Sequence, residues 1–239
     1  MPDYSIIVPA YNEAALIGAT LDRLRAVMDE LSEWDGELIV TDNNSTDNTA
    51  EIASAHGATV VFEAHRQISW SRNAGGRAAS GRFLIFVDAD TLVSAKLVRH
   101  SLERLEGGSC CGGGGTIAIP SDTPLAMRIM LKLWTLASYR MRWACGAYVF
   151  CLKTAFDAVE GFAKDVYCSE ELHFSAAVRR WGKPLGMRFE ILRETLTTSM
   201  RKFEWYTPRQ LVGQMIMFGL FPGRMKRREA CGLWYTRPK

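Results

Sequence analysis

The sequence predicts an α/β fold in a single domain, with a mostly parallel central sheet and helices on both faces of the sheet. Short aliphatic segments alternate with segments of helical apolar spacing over residues 4–105. That alternation is typical of a parallel sheet whose crossover helices cover both faces. A second observation is that the 239 residues contain no internal repeat and no linker that would mark another independent domain.

Each element of the first part of the chain rests on its own pattern. The aliphatic segment at 4–9 predicts a strand, and apolar residues at helical spacing predict a helix over 13–31. A strand at 37–41 leads into a polar turn, and a helix over 46–56 follows with Thr46 or Asp47 near its N-cap. The remaining predicted elements are a strand at 59–62, a helix at 69–79 closed by Gly81, and a strand at 83–87.

Beyond residue 95 the pattern is looser. The glycine run CCGGGGTIAIP at 110–120 predicts a strand to which another backbone approaches closely. The other expected elements are helices at 96–105, 124–143, 170–181 and 210–221 and a strand at 144–152.

The composition is that of an ordinary soluble globular protein, with 48% hydrophobic and 23% charged residues. A net charge of +3 gives no reason to expect nucleic-acid binding. No apolar run approaches the roughly 18 residues that cross a bilayer, and the N-terminus has the pattern of a strand rather than a signal peptide, so we expect a cytoplasmic protein. The six cysteines form no CxxC pair, which favours reduced thiols over a zinc site.

Polar residues follow three of the predicted strands. They lie at 9–13, at 42–47, and at Asp88 and Asp90, which come directly after the apolar segment FLIFV. Ligands bind outside the carboxyl ends of the strands in open parallel sheets, so these segments are expected to converge on one crevice. Two carboxylates one residue apart can approach one divalent cation or the phosphates that carry it. The same pair could instead serve as a turn or helix cap.

Four motifs resemble those of the family 2 glycosyltransferases, whose catalytic domain has the nucleotide-sugar-binding fold called GT-A. They are VPAYNE at 8–13, TDNNSTDNT at 41–49, SRNAGGRAASG at 71–81 and FVDADT at 86–91. The resemblance covers most of the chain to about Gly182. It implies a donor-binding half at 1–105, an acceptor-binding half at 106–200 and a helical, basic extension at 201–239.

The resemblance also implies roles for individual residues. Arg72 would lie near the base or the diphosphate, Asp88 near the ribose and the metal, and Asp90 on a Mn²⁺ or Mg²⁺ ion. The remaining donor-binding residues that it implies are Pro9, Ala10, Tyr11, Glu13, Asp42 and Ala89. The family often has two acidic residues where this chain has Asp42 and Asn43. Each of three residues has a structural alternative: Tyr11 as a packing residue, Asp47 as a helix cap and Asn73 as a residue that fixes a turn.

The general base is expected at the start of the helix in SEELHFSAAVRRWG, 169–182. Transfer of a sugar to a hydroxyl requires a group that accepts the hydroxyl proton. By the resemblance, Glu171 falls on the position of the family's catalytic aspartate and Glu170 on its neighbour, which implies inversion at the anomeric carbon. Acids in a first helical turn also favour the positive end of the helix dipole. His173 is interpreted as a structural histidine.

Processive synthases have a Q-x-x-R-W motif, which is not matched here. Arg180 and Trp181 fall inside the Glu170 helix, and no glutamine precedes them at the right distance. We therefore expect the addition of one sugar rather than polymerisation. Arg201 and Lys202 are candidates for contact with the donor phosphates, with a solvated basic turn as the alternative.

The acceptor is suggested only by two segments that combine apolar and basic residues. PLAMRIMLKLWTLASYRMRW at 124–143 interleaves Met, Leu and Trp with cations and contains no acid, and MIMFGLFPGRMKRRE at 215–229 has a similar chemistry. Such helices can lie in a membrane surface and attract anionic lipids, which would suit a lipid-linked acceptor. Ordinary core packing and a homodimer interface are the alternatives.

The sequence is less consistent with two rival functions. A nucleotidyltransferase also uses aspartates at strand ends, but it would need a phosphate-binding loop that VPAYNEA lacks. The other is a catalytically silent sugar-nucleotide-binding or membrane-surface scaffold protein with the same fold, and the retention of acids at 42, 88, 90 and 171 is evidence against it.

Overall fold

One sheet and the helices packed on it make up the fold. The computed structural model describes residues 1–121, 123–199, 201 and 205–235. The strands are β1 Tyr4–Ala10, β2 Gly36–Asp42, β3 Thr59–Phe62, β4 Phe83–Val87, β5 Thr91–Leu92, β6 Cys110–Ile117, β7 Tyr148–Leu152 and β8 Arg188–Thr198. The helices are α1 Ile17–Glu30, α2 Thr49–Ala55, α3 Ile68–Ala78, α4 Ala95–Glu106, α5 Leu125–Met141, α6 Lys153–Ala158, α7 Glu170–Gly182, α8 Pro208–Leu220 and α9 Gly232–Tyr235.

The strands lie in the order β3-β2-β1-β4-β7-β6-β8-β5. Pairing is parallel from β3 to β4 and between β6 and β8, whereas β7 and β5 are antiparallel to their neighbours. The prediction of a mostly parallel sheet in a single α/β domain is confirmed. Ala10 lies opposite Asp42 at the carboxyl end of the β1–β2 pair, and Val87 lies opposite Tyr148. The segment before β7 therefore reaches the same edge of the sheet as the loops after β1, β2 and β4.

Helices cover both faces of the sheet, as the sequence predicted. Along β1, Ile6 and Val8 belong to one buried cluster, which includes Leu24 of α1. Ile7 between them points to the other face and belongs to a second cluster, which includes Phe174 of α7. Both faces of a strand of such a sheet are buried, which explains why aliphatic residues run without interruption through β1 and β4.

The glycine run forms β6 and allows close backbone approach on both sides, as predicted. A Cβ atom at Gly113 would overlap the carbonyl oxygen of Glu190 and the ring of Phe150. At Gly114 it would lie 2.7 Å from the Cβ of Ala144. Larger residues in β6 would therefore push β7, β8 and the segment before β7 away from the centre of the sheet.

Several boundaries differ from the predicted ones. The second helix begins at Thr49 rather than 46 because Asp47 is engaged before it: its carboxylate accepts hydrogen bonds from the backbone N–H of Thr49 and of Ala14, at 3.1 and 3.2 Å. The first helix begins at Ile17, and the strand expected at 144–152 begins at Tyr148. β5, α6 and β8 were not predicted. None of the described helices is both long enough and apolar enough to cross a membrane.

Candidate active site

The predicted site residues come together at the carboxyl edge of the first four parallel strands. Ala10 and Asp42 end β1 and β2, and the 88–91 turn follows β4. Backbone N–H of Asp88 donates to the carbonyl of Ala147 at 3.2 Å, and Thr20 of α1 donates to the carbonyl of Ala89 at 2.8 Å. The turn that carries both aspartates is thus held from two sides.

Arg72 of α3 is the centre of this site. Its side chain is 2% exposed, and its Nη1 donates to the carboxylate of Glu170. Its Nη2 donates to Asp88 Oδ1 at 2.9 Å and to the carbonyl oxygen of Gly146 at 2.7 Å. Burial alone would lower the pKa of this guanidinium, but the charges of Asp88, Glu170 and Glu171 outweigh burial and raise the pKa. Arg72 therefore remains a cation and joins the 88–91 turn to the first turn of α7.

Glu170 and Glu171 differ in their surroundings although they are neighbours in the chain. Glu170 is buried and ion-paired with Arg72. Glu171 is half-buried, and a Cβ atom on Gly146 would lie 3.6 Å from its Cδ. Burial and the charge of Glu170 raise the pKa of Glu171 to about 8. The Glu171 carboxylate can therefore take up a proton near neutral pH.

Asp90 contacts a second arginine, Arg201, which follows β8. Arg201 Nη2 lies 2.8 Å from Asp90 Oδ2 and 2.9 Å from Glu13 Oε2. Burial alone would lower the pKa of Arg201, but its hydrogen bond to Asp90 and the charge of Glu13 raise the pKa. Thr198 of β8 also lies beside this group, with its Oγ1 3.4 Å from Asp90 Oδ1. Lys202, predicted together with Arg201, lies outside the described residues.

The first two loops contribute backbone and polar groups. Asp42 is buried, and its Oδ1 accepts a hydrogen bond from the backbone N–H of Ser45 at 3.2 Å. The ring of Tyr11 lies 5.2 Å from the guanidinium of Arg66. Pro9 pairs with Thr41 within the sheet, directly before the Ala10–Asp42 pair. These residues border the same edge of the sheet as Asp88.

Two residues have contacts that favour their structural interpretation. Asn73 is fully buried, and its amide exchanges hydrogen bonds of 2.7 and 2.8 Å with the backbone N–H and carbonyl of Phe162. His173 is exposed, with Nδ1 3.1 Å from the carbonyl of Ser169. Asn73 fixes the 161–162 turn, and His173 lies outside the group formed by Arg72, Asp88 and Glu170.

Asp88 and Asp90, the predicted metal ligands, lie in one turn after β4. Within the described ranges no group of three or more His, Cys, Asp or Glu side chains could hold a metal ion. Proteins, however, usually bind Mg²⁺ through only one or two carboxylates, and phosphates and water supply the remaining oxygen ligands. The two oxygen donors therefore fit a hard cation that arrives with a diphosphate.

The sequence did not indicate three contacts of the site: the carbonyl of Gly146 with Arg72, Thr198 with Asp90, and Arg201 with Asp90. Gly146 and Thr198 lie in segments whose strands were misplaced or not predicted. A glycine after a helix is compatible with many turns, so no pattern in the sequence could have assigned its carbonyl to Arg72.

Comparison with known proteins gives a match over the first two thirds of the chain. The model of the family described as "Glycosyl transferase family 2" matches residues 5–154. The glycosyltransferase YkcC of Bacillus subtilis (strain 168) is 33% identical over 113 residues, which are 44% of this chain and 34% of that protein. The validoxylamine A glucosyltransferase of Streptomyces hygroscopicus subsp. jinggangensis (strain 5008) is 31% identical over 108 residues, 43% of this chain and 25% of that protein. The matches span about a third or less of the lengths of these relatives.

The fold is also found among solved structures. The mannosyltransferase PcManGT from Pyrobaculum calidifontis, in complex with GDP-Man and Mn²⁺, superposes with a TM-score of 0.69 at 18% sequence identity. That superposition covers 96% of this chain and 64% of the other. The likeness confirms the expected GT-A fold.

Proposed function

Because the chain belongs to glycosyl transferase family 2, we propose that it transfers one sugar from a nucleoside diphosphate sugar to a hydroxyl group of an acceptor. One observation carries the proposal. Arg72 joins Asp88, from the predicted donor site, to Glu170 beside the predicted base, so that both sites lie at one edge of the sheet. The names of the relatives support a nucleotide-sugar donor, since one is a glucosyltransferase and one was solved with GDP-Man.

We propose that the donor occupies the edge formed by the loops after β1, β2 and β4. Pro9, Ala10, Tyr11, Glu13 and Asp42 would contact the base and ribose, and Asp88 with Ala89 would border the ribose and diphosphate. Asp88 and Asp90 would hold Mn²⁺ or Mg²⁺, which when bound neutralises charge on the leaving diphosphate. Arg72 would keep Asp88 oriented, since its guanidinium bonds that carboxylate at 2.9 Å.

Glu171 is proposed as the general base rather than Glu170, because the Glu170 carboxylate is already bonded to Arg72. Glu171 would accept the proton of the acceptor hydroxyl as that oxygen bonds to the anomeric carbon. The bond from this carbon to the diphosphate oxygen breaks from the opposite side, so the configuration inverts and the nucleoside diphosphate leaves. Addition of a single sugar is supported by Arg180 and Trp181, which lie within α7, where Trp181 packs against the core.

The test measures thermal unfolding with a panel of nucleoside diphosphates and their sugars, with and without Mn²⁺. A ligand at about 100 times its Kd stabilises the folded state by about 2.7 kcal/mol, or roughly 5–10 °C in Tm for a domain of this size. We expect such a shift for one nucleotide, dependent on Mn²⁺, absent in Asp90→Asn and unchanged in Asp29→Asn, an exposed aspartate of α1. No shift with any nucleotide would overturn the donor site.

A second readout separates binding from transfer. Hydrolysis of the donor, in which water replaces the acceptor, releases a nucleoside diphosphate and needs no knowledge of the acceptor. Glu171→Gln should keep the Mn²⁺-dependent nucleotide shift and lose hydrolysis. If the wild-type protein binds nucleotide yet neither hydrolyses nor transfers any donor, the chain is a sugar-nucleotide-binding protein instead.

A further inference from the structure

One side of α5 is apolar and has no cover in the described part of the chain. Leu125, Ile129, Leu133 and Leu136 are 72%, 50%, 62% and 65% exposed. Spacings of four, four and three residues place these side chains on one side of the helix. The opposite side, with Met127, Leu131 and Ser138, is buried against the domain. α5 thus carries two apolar sides, of which only one contributes to the core.

Basic side chains accompany the exposed side and continue beyond the end of the helix. Lys132 and Arg140 are exposed within α5, which contains no acidic residue. At its C-terminal end lies a cleft of about 540 Å³, whose lining includes Arg142, Arg179, Arg180, Lys183 and Arg188. Arg179 Nη1 donates to the carbonyl of Met141 at 2.7 Å, which ties the cleft to the last turn of α5.

The cations of this cleft cluster without an acidic partner among the described residues. Six arginines elsewhere in the domain each form an ion pair with a carboxylate: Arg23, Arg72, Arg82, Arg99, Arg104 and Arg201. Among residues 1–121, 123–199, 201 and 205–235, no carboxylate pairs with any of the five cations of the cleft. Leu185, 56% exposed, lies between two residues of the cleft lining, Lys183 and Gly186. Clustered positive charge beside exposed leucines therefore recurs at both parts of this surface.

We propose that the exposed side of α5 and the adjoining basic cleft form a surface that docks on a bilayer containing anionic lipids. This α5 surface comprises Leu125, Ile129, Leu133, Leu136, Lys132, Arg140 and the five cations of the cleft. An amphipathic helix with leucines on one side and cations beside them places its apolar side at the acyl boundary and its cations at lipid phosphates.

Charge selects the bilayer over a second copy of the chain. In a twofold dimer formed through the α5 surface, the same patch of each copy faces the other. Cations without acidic partners would then oppose cations, and like charges brought together are destabilising. An anionic lipid surface supplies the missing negative charge and the apolar cover together. The inference does not depend on sugar transfer, because none of its residues belongs to the proposed donor site or base.

The experiment is flotation of the full chain with liposomes, either of neutral phosphatidylcholine or of phosphatidylcholine mixed with phosphatidylglycerol. We expect binding to the mixed liposomes at low salt, little binding to the neutral ones, and loss of binding at about 0.5 M salt, where charges are screened within a few Å. Ile129→Gln with Leu133→Gln should abolish flotation. Ile129→Met with Leu133→Met keeps the apolar side and should retain it.

The basic cleft is tested by Arg180→Gln with Lys183→Gln. Each cation near an anionic surface strengthens binding about fivefold, so the pair should weaken the partition coefficient roughly 30-fold. Arg77→Gln, which removes an exposed cation from α3, should leave partition unchanged. The Tm of each variant, measured without lipid, must equal that of the wild type. Equal flotation of all variants, or none by the wild type, overturns the proposal. So does a dimer in light scattering that Ile129→Gln with Leu133→Gln dissociates, because that result assigns the surface to a second copy.

Discussion

The substitution Glu171→Gln is expected to stabilise the protein at alkaline pH while it removes the proposed base. The pKa of Glu171 is raised from 4.5 to about 8 by burial and by the charge of Glu170. Between these two values the folded state holds a proton that the unfolded state has released. The free energy of unfolding of the wild type therefore falls as the pH rises through this range. Glutamine has the shape of the protonated side chain and carries no charge at any pH.

The size of the effect follows from the pKa. At about 1.36 kcal/mol per pKa unit, the rise corresponds to an upper limit of about 5 kcal/mol above pH 8. Glu171 is half-buried, and water around the carboxylate reduces this to roughly 2 kcal/mol. The carboxyl group is protonated in both states below 4.5, so the two proteins should converge there.

The assay is urea unfolding of both proteins at several pH values between about 5 and about 9. Glu103→Gln, the same change at an exposed position of α4, controls for the loss of one negative charge. The difference between Glu171→Gln and wild type should grow with pH, and that of Glu103→Gln should not. If wild type is as stable as the variant at the alkaline end, the Glu171 carboxylate is not destabilised by its surroundings, and the argument from its raised pKa fails.

Two further substitutions test the architecture that holds the site. Arg72→Gln leaves the buried Glu170 without its cation, so it should lower the free energy of unfolding in denaturant by about 3–5 kcal/mol at neutral pH. The control, Arg77→Gln at an exposed position of the same helix, should lower it by less than about 0.5 kcal/mol. Similar values for the two variants would contradict the ion-pair argument. Gly113→Ala should cost about 1–3 kcal/mol because its methyl group would overlap a carbonyl oxygen and a ring. Gly213→Ala in α8 meets nothing within 4 Å and should be neutral or stabilising by up to about 1 kcal/mol; equal losses at both glycines would refute the packing explanation for β6.

The first four parallel strands were predictable because each is a short segment rich in aliphatic residues, and β1, β2 and β4 are buried over most of their length. β3 and β4 have the predicted bounds, 59–62 and 83–87. Their order along the chain also fixed where Asp42 and Asp88 would lie, since parallel strands end at a common edge. The convergence of these acids thus follows from local patterns together with one topological rule.

The second half of the site could not be predicted from local patterns. In β8 the buried residues Phe189, Leu192 and Leu196 are three and four residues apart, a spacing typical of a helix rather than of an alternating strand, so the sequence does not indicate this strand. Arg72 and Glu170 lie 98 residues apart. No spacing in the sequence relates them, because a pairing at that separation depends on how α3 and α7 pack around the 144–147 segment.

The contact between Arg201 and Asp90 has a consequence for the order in which ligands bind. Asp90 already has a positive partner that is tethered to the end of β8, and the same guanidinium holds Glu13 in the loop after β1. A free cation must compete with this tethered one, whose local concentration does not change on dilution. A polyanion that binds together with the metal cation weakens this competition, because the Arg201 guanidinium can then pair with the polyanion instead of with Asp90. Cation and nucleotide should therefore bind cooperatively, and the Arg201 side chain should change position when both are present.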